Sequence, residues 1–125
     1  MTRGMRDARL AIHAALTGVM AWLALVLALP GDTFGTSPTF ALMQRLGSED
    51  GWAMVFWLVA SIGLTGLGST ARWWRLASVL ALSTAHGVVA ILFVLGNPLT
   101  TATGTYAVLA LLGYYLAWRR TDEGL

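Results

Sequence analysis

The chain is predicted to be all-α: a four-helix transmembrane bundle with both termini cytoplasmic and a short amphipathic surface helix in the first outer loop. Three observations predict it. Apolar residues make up 57% of the 125 residues and charged residues only 11%, against about 25% charged in soluble domains. Four apolar stretches, Leu10–Leu29, Gly51–Gly68, Leu76–Leu95 and Thr101–Trp118, contain no Asp, Glu, Lys or Arg. The charges lie in the gaps, as a bilayer requires: a charged side chain at mid-depth costs roughly 2.5–3.5 kcal/mol on insertion scales. The length suits one integral membrane domain spanning 1–125.

Helix one is expected over about Ala8 to Leu29, ended by Pro30-Gly31-Asp32, since proline disfavours helix in the residue before it. Arg3, Arg6 and Arg9 before an apolar stretch are also the start of a signal peptide. The stretch is longer than a signal h-region, so a retained span is expected. Helix two is expected over about Gly51 to Gly68, with Ser48 as N-cap and Glu49 and Asp50 at the positive end of the helix dipole. Helix three, about Leu76 to Leu95, would span about 30 Å, the thickness of the hydrocarbon core. Gly96-Asn97-Pro98 stops it, and helix four follows over about Thr101 to Trp118, with a weakly apolar first turn.

Arginine placement sets the orientation. Arg3, Arg6, Arg9, Arg72, Arg75, Arg119 and Arg120 fall on one side of the four-span arrangement, and Arg45 alone falls on the other. The positive-inside rule then places both termini in the cytoplasm. Trp73, Trp74 and Trp118 beside those arginines read as interfacial anchors, with Trp52 at the opposite face; Trp22 and Trp57 lie deeper, between helices or facing lipid.

The outer loop, about Pro30 to Asp50, has its own pattern. Ser37-Pro38 is an N-cap and first-turn pair, Phe40, Met43 and Leu46 recur at helical spacing, and Gly47 is a C-cap. A short amphipathic helix on the outer surface is expected, with an ordered coil as the alternative; either caps the outer face.

Composition narrows the chemistry. The chain has no cysteine, which excludes disulfides, thiol catalysis and thiolate metal sites. A net charge of +2, scattered along the chain, does not point to nucleic acid. His13 and His86 are the ionisable groups within the spans. Bis-histidine haem ligation needs both at one depth, yet counting from Arg9 and Arg75 leaves them about 10 Å apart along the membrane normal. No cofactor is therefore expected. His13 is expected to snorkel to the interface, and His86 to bond Ser83 or Thr84 or to face another helix. Ser61, Thr65, Ser83 and Thr84 lack an evident base, so no enzymatic activity is expected.

Small residues recur on helix faces, which allows close backbone approach in lipid. Gly18, Gly63, Gly66, Ala77, Ala81, Ala85 and Gly113 are the expected helix-packing positions, within one subunit or between copies.

One stretch resembles a known group. Pro30-Gly31-Asp32-Thr33-Phe34, then Thr36-Ser37-Pro38, then Met43, then an acidic residue followed by Gly51-Trp52, resembles small four-span membrane proteins of tailed phages and prophages. These are mostly uncharacterised, and some are labelled holin-like from size and topology. The resemblance implies a bacterial or phage origin, and the function expected is that of a holin-like protein of the cytoplasmic membrane that self-associates and permeabilises the bilayer. The alternative is an accessory structural subunit, or a superinfection-exclusion factor, that binds a partner through Phe34, Phe40 and Met43 of the outer loop.

Overall fold

The computed structural model describes residues 3–29, 40–96 and 101–122, and among them every regular element is helical. The elements are α1 (Arg3–Ala28), α2 (Ala41–Leu46), α3 (Glu49–Gly68), α4 (Arg72–Gly96) and α5 (Thr101–Asp122). Three of them, α1, α3 and α4, are long and apolar enough to cross a membrane. The helices overrun the spans expected from hydropathy: α1 starts at Arg3 rather than Ala8, α4 at Arg72 rather than Leu76, and α5 runs to Asp122 rather than Trp118. Hydropathy marks where lipid would begin, whereas a helix continues until its backbone hydrogen bonds are lost or capped.

Local chemistry accounts for the observed ends. Ser48 caps α3, its Oγ accepting from the Gly51 N–H at 3.1 Å, with Glu49 and Asp50 in the first turn. Gly47 closes α2, its N–H donating to the Met43 carbonyl at 3.1 Å. A short helix in the first loop is thus present as Ala41–Leu46, while its expected Ser37-Pro38 start lies outside the described residues.

Three long antiparallel contacts build the body. On α1 and α3, His13 lies against Gly66 and Thr17 against Gly63. On α3 and α4, Gly66 meets Ser78 and Gly63 meets Leu82. On α4 and α5, Ser83 meets Gly113 and Gly87 meets Ala110. It follows that the starts of α1 and α4 and the ends of α3 and α5 share one end of the molecule. That end collects Arg3, Arg6, Arg9, Arg72, Arg75 and Arg119. Helix α2, Glu49 and Asp50 lie at the other.

The main core runs from Leu16, Met20, Leu23 and Leu27 of α1 to Phe56 and Ala60 of α3 and Leu82, Val89 and Phe93 of α4. A second cluster joins Val79 to Leu116 and Ala117 near the arginine end. The surface inverts the soluble pattern. Trp22, Trp57, Leu58, Leu95 and Leu111 are 59–68% exposed, while His13, Ser78, Ser83 and His86 are fully buried. Large apolar side chains exposed in this way mark protein or membrane contact.

Candidate functional site: a glycine-serine junction and a buried histidine

All four long helices meet near the arginine end, and glycine is what lets them. At Gly63, an added Cβ would lie 2.6 Å from Thr17 Oγ1 and 3.0 Å from Leu82 Cδ1. At Gly66 it would overlap both Cβ and Oγ of Ser78, with His13 Cε1 at 3.5 Å. At Gly113 it would overlap Ser83 Oγ and lie 3.1 Å from Leu16 Cδ1. Gly63 and Gly66 are three residues apart and so present one face of α3. Gly63 and Gly66 are therefore contact positions, and the helix continues through them to Gly68.

The hydroxyls at this junction and the Nε2 of His13 are tied down within the protein. His13 is fully buried, and its Nε2–H donates to the Gly63 carbonyl at 2.9 Å, joining α1 to α3. The expected snorkelling of His13 is thus corrected: its ring projects from the buried face of α1 that carries Leu16, Thr17 and Met20. The hydroxyls bond backwards along their own helices: Thr17 Oγ1 to His13 O at 2.9 Å, Ser78 Oγ to Arg75 O at 2.9 Å, and Ser83 Oγ to Val79 O at 2.8 Å. Ser61 and Thr65 do the same toward Trp57 and Ile62.

His86 sits deeper and is also fully buried. Its Nδ1–H donates to the Leu82 carbonyl at 2.7 Å, on its own helix rather than to Ser83 or Thr84. In the neutral ring this leaves Nε2 as an acceptor, and that atom is buried without a hydrogen-bond partner among the described residues. Its neighbour across the α4–α5 contact is the Tyr106 ring, at 5.8 Å between centroids. Tyr106 packs edge-on to Phe93, and Phe93 edge-on to Phe40, each at 5.3 Å. A column of aromatic rings thereby links the start of α2 to the interior. Among the described residues no group of three or more His, Asp or Glu side chains is placed to hold a metal ion. His13 and His86 are held separately, His13 through Nε2 to α3 and His86 through Nδ1 to α4.

The expected packing positions divide into three sets. Gly63, Gly66 and Gly113 lie at the closest helix contacts inside the subunit. Gly18 does not: it faces outward, and a Cβ there would meet nothing within 4 Å. Gly18 therefore packs against no helix within the subunit, because the helical turn directs Leu16, Thr17 and Met20 inward and Gly18 away from them. Ala77, Ala81 and Ala85 are partly buried on α4. Ala81 and Ala85 floor an open groove of about 440 Å³ between α3 and α4, walled by Val55, Phe56, Val59 and Val88.

Two of the residues expected to meet a partner, Phe40 and Met43, point inward. Met43 is fully buried, and Phe40 packs on Phe93. Trp52 Nε1–H donates to the Met43 carbonyl at 2.8 Å and fastens α2 to α3. A partner arriving from that side would meet Gln44, Arg45 and Leu46, which are exposed, rather than Met43. Phe34 lies outside the described residues. Among the expected anchors, Trp73 and Trp118 are 68% and 66% exposed, and Trp22 and Trp57 also face outward. Trp74 is half-buried, its Nε1–H donating to Thr65 Oγ1 at 3.2 Å.

Sequence reasoning did not foresee Ser78, Thr17 or Tyr106 in these roles. Each is ordinary in its own helix and acquires its role from a neighbour on another. Compared with known proteins, the chain matches no family model, no curated protein and no solved structure.

Proposed function

We propose that the chain is a four-span protein of the bacterial cytoplasmic membrane, with both termini cytoplasmic, that self-associates and permeabilises the bilayer in the manner of a holin. The observation that carries the self-association is the groove between α3 and α4. Gly63, Gly66 and Gly113 are already used within the subunit, whereas Ala81 and Ala85 leave an apolar groove open on the outside. Small residues at such a surface let another helix approach closely, which is how helices associate where lipid removes the hydrophobic drive. Topology is supported by the shared end of the arginine-bearing segments and by the uncharged Thr101–Trp118 stretch of α5, which reaches about 27 Å.

The test is regulated expression in bacteria while membrane potential and culture density are followed. Abrupt depolarisation after a delay is expected, and Ala81→Leu, which fills the groove floor, is expected to abolish it while the protein still inserts. Normal growth with abundant inserted protein would refute permeabilisation. Depolarisation by Ala81→Leu at the wild-type level would refute the groove as the route. Gly113→Leu is unsuited to this purpose, because Gly113 is an internal contact with Ser83 and Leu16.

A second reading is a binding role for the outer face, as an accessory subunit or a superinfection-exclusion factor. It is favoured by Leu46, 63% exposed on a helix pinned by Trp52. Leu46→Asp is expected to abolish partner binding under this reading and to leave depolarisation unchanged under the first.

A further inference from the structure

We infer that Arg75 holds the phosphate of an anionic phospholipid headgroup at the arginine-bearing end of the molecule. The inference rests on the reading that α4 crosses the bilayer. Arg75 lies in the first turn of α4, immediately before the uncharged run that starts at Leu76. A run to Leu95 covers about 30 Å, so its first residue marks the hydrocarbon edge and Arg75 falls in the phosphate layer.

Two features of Arg75 point to a ligand. Its backbone is fully engaged, the N–H donating to Ala71 O at 3.1 Å and the carbonyl accepting from Ser78 Oγ at 2.9 Å. Its Nε, by contrast, is buried with no hydrogen-bond partner among the described residues. The Nε is covered by protein, so a phosphate would meet the outer Nη1/Nη2 edge of this half-buried side chain, whose parallel donors match phosphate oxygens two at a time.

The surroundings fit an interfacial lipid. Trp74, next in sequence, is half-buried and held by Thr65. Trp73 is 68% exposed and packs edge-on against Trp74 at 5.6 Å. Tryptophans of this kind sit at headgroup level. Arg3, Arg6, Arg9, Arg72 and Arg119 share this end with Asp7 and Asp122 as the acidic residues of its helices. The excess of positive charge favours a lipid of net negative charge over a zwitterionic one.

The experiment is native mass spectrometry of the purified full chain in detergent, titrated with phosphatidylglycerol or phosphatidylcholine. The wild type is expected to bind its first phosphatidylglycerol at least about tenfold more tightly than phosphatidylcholine. Arg75→Gln is expected to lose most of that preference. Arg75→Lys, which keeps the charge but not the fork, should retain part of it. Arg45→Gln, at the opposite end, should retain all of it. An undiminished preference in Arg75→Gln overturns the inference. So does displacement of the lipid by millimolar inorganic phosphate, which would make the site one for a free anion. Insertion into phosphatidylcholine vesicles is measured in parallel. Inserted protein without lipid preference overturns this site alone, and failure to insert overturns the membrane reading with it.

Discussion

Replacing Gly66 by alanine tests whether α3 and α4 are as close as their backbones allow. The new Cβ would overlap both Oγ and Cβ of Ser78, and Ser78 is fully buried. An overlapped Oγ can rotate away at the cost of its bond to Arg75 O, but a Cβ has no such freedom, so the helices themselves must separate. Overpacking of a tight interior costs typically about 1–3 kcal/mol, and backbone displacement belongs at the upper end. Alanine returns up to about 1 kcal/mol of helix propensity. The net expectation is destabilisation by about 2 kcal/mol, read as unfolding free energy in mixed detergent micelles. Gly18→Ala is the reference, since its Cβ would meet nothing within 4 Å, and it should be neutral or stabilising. Adding Ser78→Gly to Gly66→Ala should restore most of the loss, whereas adding Ser78→Ala should not, because alanine keeps the offending Cβ. Gly66→Ala as stable as Gly18→Ala would refute the close α3–α4 contact.

Two further predictions concern hydrogen bonds between elements. Thr84 Oγ1 and Tyr114 Oη lie 3.0 Å apart on the exposed side of the α4–α5 contact. A double-mutant cycle with Thr84→Ala and Tyr114→Phe should give a coupling of about 0.6 kcal/mol, and zero coupling would remove that bond from the description. Trp52→Phe deletes the donor to the Met43 carbonyl while keeping an aromatic ring against Phe56. It should cost about 1 kcal/mol and speed amide hydrogen exchange at Gly47, and unchanged exchange there would show that α2 is held by packing alone.

The sequence by itself determined the helical class, the apolar runs and the residue types at the helix ends. Those properties are local: they depend on the solvent each segment prefers and on hydrogen bonds within a few residues. Ser48 as the cap of α3 and Gly47 as the stop of α2 were legible for that reason. Gly63, Gly66 and Gly113 were legible as close contacts in kind, but Gly18 was indistinguishable from them, because glycine permits close approach without dictating which face meets a neighbour. Tertiary structure alone decided that Gly66 faces Ser78, that Gly113 faces Ser83, and that Gly18 faces outward. It also took His13 from an expected interfacial position into a bond with α3, and turned Met43 from an expected contact surface into core. Each outcome depends on the rotation of one helix about its axis relative to another. That rotation is set by the packing of all the faces together, and no single helix carries it in its own residues.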